Sequence, residues 1–294
     1  MSIFLDFDGT ITAQDTISEL ANFALRFQNS RQQLQPEAGV GADLKPQWDA
    51  VVKAYIDDHK AQVACYRPAE AARRELHEKV AFLRDLKAVE TRSLARIKSC
   101  ALFQGITPAA FREAGRALVR EGTVVIRPGF ADFVRRRVEQ GWRVYVVSVN
   151  WSSAFIEGAC GGVDGLSVIA NDVREEDGSV AGPEVLNAEG REQHRNLTNS
   201  CDKLDVMTAV LERDGLVRDG SRSFYLGDST TDLECLLAAT RGIVVADRDD
   251  TTLLRTLRRI GKSVPRVRDA DQGAGLSWAS DFEEVMAHVE FELG

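Results

Sequence analysis

The sequence predicts an α/β protein, a doubly wound parallel sheet with an inserted α-helical cap. Three observations predict it. The chain opens on a short apolar run, Ile3-Phe4-Leu5, that ends in an acidic turn. From Thr16 to Gly122 the pattern is helical, with strand signals almost absent. Beyond Arg127-Pro128-Gly129, near-continuous apolar strands alternate with helices, the pattern of a parallel sheet covered on both faces.

Each element has its own signal. Ser2 to Phe7 reads as a buried strand closed by the turn residues Asp8-Gly9-Thr10. In the helical stretch, Ile17, Leu20, Ala21 and Ala24 repeat at three and four residues, as do Leu94, Ile97 and Ala101. A break at Gln35 to Gly41 separates two helices. Another helix starts with Thr107 as N-cap and Pro108 at its first position. Phe130 to Gln140 reads as a helix stopped by Gly141, Trp142 to Val147 as a strand and Asn150 to Ala159 as a helix. Val163 to Val173 reads as a strand, followed by a hairpin-like Glu175-Glu176-Asp177-Gly178. Asp202 to Arg213 and Thr231 to Ala239 read as helices, and Ser223 to Leu226 and Gly242 to Ala246 as strands. A last helix, Asp281 to Phe291, is expected to pack on the sheet through Trp278 and Phe282. The first strand therefore belongs with the C-terminal half. Residues 1–13 and 124–294 are expected to form the catalytic core and 14–123 the helical cap.

Composition excludes several classes. The 294 residues are 44% apolar and 28% charged, ordinary for a globular protein with a sizeable core. A net charge of -8 argues against general nucleic-acid binding, which needs a basic surface. No stretch approaches the ~20 apolar residues that span a bilayer, and Asp6 interrupts the first apolar run, so neither membrane partner nor secretory leader is expected. The five cysteines are scattered without CxxC spacing, which reads as reduced thiols in a cytoplasmic protein. Composition leaves the oligomeric state open.

Ligands of such sheets bind at the carboxyl ends of the strands. Those ends carry Asp6-Phe7-Asp8-Gly9-Thr10, Ser148-Val149-Asn150 and Gly227-Asp228-Ser229-Thr230-Thr231-Asp232, and Lys203 opens the helix before the last. Alone, each is an ordinary turn or cap. Together they place acids, a hydroxyl and a lysine on one rim, which suits phosphoryl transfer. A carboxylate can attack phosphorus to form an acyl phosphate that water cleaves. Asp6 and Asp228 together imply a hard divalent cation, magnesium being the natural choice. Lysine and hydroxyl would neutralise phosphoryl oxygens. Asp8, two residues beyond Asp6, projects to the same face and can serve as general acid and base.

These motifs resemble, in order and over essentially the whole chain, those of the haloacid dehalogenase superfamily of phosphohydrolases. The resemblance implies a Rossmann-like core, Asp6 as nucleophile, Asp8 as general acid/base, and Ser148 with Lys203 as the phosphate-binding pair. It implies magnesium held by Asp6, Asp228 and the backbone carbonyl of Asp8, with Asp232 supporting through water or Lys203. An acid at Asp8 marks the phosphatase branch. The helical insertion and Arg127-Pro128-Gly129 resemble the phosphoserine-phosphatase-like group. Within it, the DFDGTITAQDT segment and Ile169-Ala170-Asn171 are similar to a branch that includes methylthio-ketopentenyl-phosphate, phosphocholine and polyol-phosphate phosphatases. Ser229, Thr230-Thr231 and Ser148-Val149-Asn150 depart from the phosphoserine pattern and argue against phosphoserine itself.

Asp15, Arg96 and Asn150 are the substrate-binding candidates. Asp15 reads equally as a substrate contact or as the cap of the following helix. Arg92 and Arg96 lie one turn apart and either reach the substrate or form a solvated face with Glu90. The expected function is magnesium-dependent hydrolysis of a small phosphorylated metabolite. The alternatives are a phosphotransferase or sugar-phosphate mutase, or a metabolite-binding regulator without catalysis.

Overall fold

The structure, a computed structural model, describes residues 1–34, 44–187, 194–216, 222–271 and 273–289. The break at Gln35 to Gly41 lies outside the described residues, and the last helix, expected to reach Phe291, ends at His288 because Val289 is extended.

Six parallel strands form the sheet: β1 (Ser2–Leu5), β2 (Arg143–Val147), β3 (Leu166–Ile169), β6 (Ser223–Gly227), β7 (Arg241–Val245) and β8 (Leu276–Ala279), in the order β3-β2-β1-β6-β7-β8. Two short strands, β4 (Asp172–Val173) and β5 (Val180–Ala181), pair antiparallel outside it. Side-chain alternation splits β1 between two apolar layers. Ile3 and Leu5 join the cluster with Phe130, Phe133 and Phe155, and Phe4 joins the one with Val206, Leu233 and Leu254. Phe4 stacks on Tyr145 with ring centroids 5.3 Å apart.

Between β1 and β2 run α1 (Ile17–Leu34), α2 (Leu44–Cys65), α3 (Leu76–Asp85), α4 (Lys87–Cys100) and α5 (Pro108–Arg120). The chain leaves and rejoins the sheet side by side: Ala13 N donates to Val125 O at 2.8 Å and Arg127 N to Ile11 O at 2.8 Å. Thr107 caps α5, its hydroxyl accepting from Ala110 N, with Pro108 at the first position. The remaining helices are α6 (Phe130–Glu139), which leads into β2, and after β2 α7 (Ser153–Ala159), α8 (Ser200–Arg213), α9 (Leu233–Ala238), α10 (Thr252–Arg259) and α11 (Phe282–His288). Helix α5 lies hard against α7. A Cβ on Gly158 would sit 2.0 Å from Arg112 O, and one on Gly115 would sit 2.3 Å from Phe155 O. Glycine at both positions is what lets the two backbones touch.

Three details differ from the sequence expectation. The run Val163 to Val173 is two strands in different sheets, because the chain breaks at Ala170-Asn171, where the Asn171 amide donates to Val149, Asn150 and Leu197 carbonyls. The helix expected from Asn150 begins at Ser153, capped by the Ser152 hydroxyl. Trp278 belongs to the edge strand β8, while Phe282 packs among Phe130 and Phe133. Strand β8 and α10 have no counterpart in the sequence reading. No helix among the described residues is long and apolar enough to cross a membrane.

Candidate active site

Strand register builds the site. Leu5 is level with Val146 of β2 and Leu226 of β6, so the three carboxyl ends emerge together. Asp6 follows β1, its N–H bonded to Leu226 O at 2.9 Å, Ser148 follows β2, and Asp228 follows β6. The cleft above them has a volume of about 380 Å³ and is lined by Asp6, Asp8 and Asp228, among others.

Asp6 is only 4% exposed. The fully buried Lys203 Nζ lies 2.7 Å from Asp6 Oδ1 and 2.7 Å from Asp232 Oδ1. Asp232 also accepts from Tyr225 Oη at 2.8 Å and Ser229 N at 3.0 Å. Thr10 Oγ1 donates to Asp228 Oδ1 at 3.3 Å. Burial pushes the Asp6 carboxyl well above the usual carboxylate range and the nearby Asp232 and Asp228 push it further, against the pull of Lys203. Burial and the charge of Asp232 push Asp228 up to about 7. Lys203 is desolvated too, but Asp232 and Asp6 outweigh that and hold its ammonium above the ordinary lysine range.

The carboxylate oxygens of Asp6, Asp228 and Asp232 lie within 4.8 Å of one another. Once ionised, three carboxylates face a single ammonium, which leaves negative charge uncompensated. Gly9, at φ +77°, passes so close to Asp228 that a Cβ there would lie 2.3 Å from Oδ2. An all-oxygen, anionic donor set of this kind fits a hard divalent cation such as magnesium.

Asp8 is oriented by its neighbours. Its Oδ1 accepts from Thr16 N at 2.7 Å and Thr16 Oγ1 at 2.5 Å, and its Oδ2 accepts from Asn150 Nδ2 at 2.9 Å. Burial raises the Asp8 carboxyl above its usual range, and the bonds from Thr16 and Asn150 draw it part of the way back.

The structure gives the other expected residues definite neighbours. Asn150 is fully buried and aims its amide at Asp8 and Thr16, so it orients the acid rather than lining the cleft. Arg96 is directed away from the cleft: its Nη2 bonds Asp58 at 2.8 Å, where Arg92 joins it, in a groove lined by Gln47, Val51 and Cys100. Asp232 has its oxygens engaged by Lys203, Tyr225 and Ser229, so it stands behind Asp6 as the anchor of Lys203. Asp8 is not among the carboxylates grouped with Asp6, and its own oxygens are bonded by Thr16 and Asn150. Asp15 satisfies both readings, because Oδ1 accepts from Ile17 N at 2.8 Å while the residue lines the cleft. Ser148, fully buried, accepts from Asn150 N at 3.1 Å.

Sequence reading missed three contributors. Tyr55 and Glu90 line the cleft and are bonded Oη to Oε1 at 3.0 Å, a pairing between α2 and α4 with no local signature. Arg127 donates from Nε and Nη2 to Gly9 O at 3.2 and 3.1 Å and from Nη1 to Asp247 and to Ser280 O, which braces the loop after β1. The Arg-Pro-Gly motif was the available signal for Arg127.

Fold and rim define the class: a doubly wound enzyme with a buried carboxylate at the end of its first strand and acids and a lysine gathered around it. The chain belongs to the haloacid dehalogenase-like hydrolase family, whose model matches residues 3–237. It is 26% identical over 269 residues to the bifunctional TH2 protein, mitochondrial, of Arabidopsis thaliana, with 88% of this chain and 40% of that protein covered. The chain thus spans well under half of that relative. It is 25% identical over 303 residues to cold tolerance protein 1 of Saccharomyces cerevisiae, covering 94% of this chain and 89% of the relative. Solved structures with this fold include a phospho-aspartyl intermediate analogue of phosphoserine phosphatase, at TM-score 0.50, 14% identity and 98% of both chains. A Bordetella pertussis Tohama I protein matches at TM-score 0.53 and 20% identity over 90% of this chain and 96% of its own.

Proposed function

We propose that the protein is a magnesium-dependent phosphomonoesterase that hydrolyses a small phosphorylated metabolite through an aspartyl phosphate on Asp6. The observation that carries this reading is the division of labour between the buried Asp6 and the half-buried Asp8. Asp6 lies against the Lys203 ammonium and within the carboxylate group that fits a cation, which together would offset its burial and hold it anionic for attack, while Asp8 accepts only from the neutral donors Thr16 and Asn150 and, with no cation beside it, is suited to carry a proton.

Asp6 would attack phosphorus, forming the Asp6 O–P bond as the ester O–P bond breaks and the leaving oxygen takes the Asp8 proton. Water would then add to the phosphorus, its proton returning to Asp8, and the Asp6 O–P bond would break to release phosphate. Lys203 and Ser148 would donate to phosphoryl oxygens. Asp6, Asp228 and the Asp8 carbonyl would hold magnesium, which when bound would supply positive charge to the phosphoryl oxygens. Thr16 and Asn150 orient Asp8, and Asp232 anchors Lys203. The helices between β1 and β2, residues 14–123, would act as the cap that covers the rim. A cytoplasmic setting is part of the proposal and agrees with cysteines that are all free in the structure.

Phosphate release from a panel of phosphorylated metabolites, with magnesium and with excess chelator, tests the reading. Release that chelation stops and magnesium restores supports it. Full activity in chelator removes the metal, and transfer to another substrate hydroxyl without free phosphate makes the protein a phosphotransferase.

A further inference from the structure

The wall of the cleft facing Asp6 is built from the inserted helices and the loop after β2. It presents Asp15, Tyr55, Glu90 and Trp151, with Ile17 and Leu94 beside them. We infer that this wall selects a phosphomonoester whose leaving group carries a positive charge and no negative one, with Glu90 and Asp15 opposing the charge and the Tyr55 and Trp151 rings covering it. This rests on the phosphatase reading and names the substrate class of the same site.

Three observations carry it. First, the wall's acids lack cations. Glu90 bonds the neutral Tyr55 hydroxyl and Asp15 bonds Ile17 N, and neither pairs with a lysine or arginine among the described residues. Several acids outside the cleft do have such partners: Asp58 holds Arg92 and Arg96, Asp177 holds Lys98, and Asp202 holds Lys87 and Arg195. Burial raises the Glu90 carboxyl, a cost that a bound cation would relieve.

Second, no lysine, arginine or histidine is among the described residues lining the cleft. The phosphoryl group has Lys203 behind Asp6, but a carboxylate on the leaving group would meet only Asp15 and Glu90. Like-charge juxtaposition of this kind acts as rejection.

Third, the remaining surface is aromatic and apolar. Trp151 lines the cleft and is fixed by edge contacts to Trp48 and Phe103, with centroids 6.1 and 5.8 Å away. Ring faces beside carboxylates are the recognition surface of organic cations. The volume of about 380 Å³ restricts the leaving group to a small one.

The test uses three esters with the magnesium-loaded protein: trimethylammoniopropyl phosphate, its neutral isostere with tert-butyl in place of trimethylammonium, and carboxypropyl phosphate. The expected result is a kcat/KM preference of about tenfold or more for the cation over its isostere, with the carboxylate poorest. In Glu90→Gln, and further in Glu90→Gln with Asp15→Asn, the cation-to-isostere ratio within each enzyme should fall toward one. Independently of any variant, the alcohol of the cationic ester should inhibit the wild type more strongly than the neutral alcohol. A wild-type ratio near one, a ratio unchanged in the double variant, equal inhibition by the two alcohols, or preference for the carboxylate would overturn the inference while leaving the phosphatase reading standing. Absence of phosphate release from all three esters and from p-nitrophenyl phosphate would instead remove that reading, and this inference with it.

Discussion

The side-chain amide of Asn150 reaches the Asp8 carboxylate across 2.9 Å, and both residues also touch Thr16 at the start of α1. One residue from the end of β2 thus sets the acid that follows β1. A donor to a carboxylate favours its charged form, so the Asn150 amide lowers a pKa that burial raises. Asn150→Ala should raise the Asp8 pKa, and the alkaline limb of the kcat–pH profile, where the general acid loses its proton, should move to higher pH. Loss of orientation should lower kcat at the optimum about tenfold or more. A limb that stays in place would mean that the bond is absent during turnover.

Asp6→Asn should leave the fold intact and bring turnover below about 1% of wild type, because an amide cannot form the acyl phosphate. Circular dichroism and phosphate release check the two halves. Retention of a tenth of the activity or more would show that Asp6 is not the nucleophile.

Metal-free stability should fall as pH rises. Asp228 has a carboxyl pushed from 3.8 up to about 7 in the folded chain. Between those values the folded state binds more protons than the unfolded one, so unfolding free energy decreases with pH, by on the order of 2–4 kcal/mol across the window. Chemical denaturation in excess chelator from pH 4 to 7.5 reads this slope. Asp228→Asn should flatten it, and magnesium, which binds the ionised carboxylates, should restore stability at the upper end. A flat wild-type profile in chelator would count against the carboxylate cluster as drawn.

Gly158→Ala should destabilise by about 1–3 kcal/mol, because the new methyl would meet Arg112 O at 2.0 Å and force α5 from α7. Gly115→Ala addresses the same contact, so the double variant should cost less than the sum of the two singles. Urea titration distinguishes these outcomes, and an unchanged midpoint in both singles would show that the helices do not pack so closely.

Arg96→Ala should change kcat/KM by less than about twofold and stability by less than about 1 kcal/mol, since Arg96 is engaged by a half-exposed Asp58 that keeps Arg92 as a second partner. A loss of tenfold or more on the native substrate would show that Arg96 turns into the cleft.

What could be read from the sequence was what local pattern specifies. Asp6, Ser148 and Asp228 each follow a short apolar run, and parallel pairing in register places the ends of such runs level. Knowing that three strands neighbour one another was therefore enough to bring those three residues to one rim, while Lys203 reaches Asp6 from α8. The N-cap at Thr107 and the change of pattern on either side of the inserted helices are equally local signals.

Tertiary structure alone decided what each side chain faces. Val163 to Val173 is apolar enough for one strand, but Asn171 finds three carbonyl partners, and their hydrogen bonds outweigh the local β preference. Strand β8 is four residues long and sits at the sheet edge, too brief for a period to show. Asn150 and Arg96 are polar residues in suitable places, and nothing in their neighbours along the chain says that one meets Asp8 and the other Asp58. Tyr55 and Glu90 meet only because α2 and α4 pack together. Strand ends are set by continuous apolar runs closed by turn residues, which the chain itself displays, whereas side-chain partners depend on helix crossings and loop paths, which are determined by packing between segments far apart in sequence.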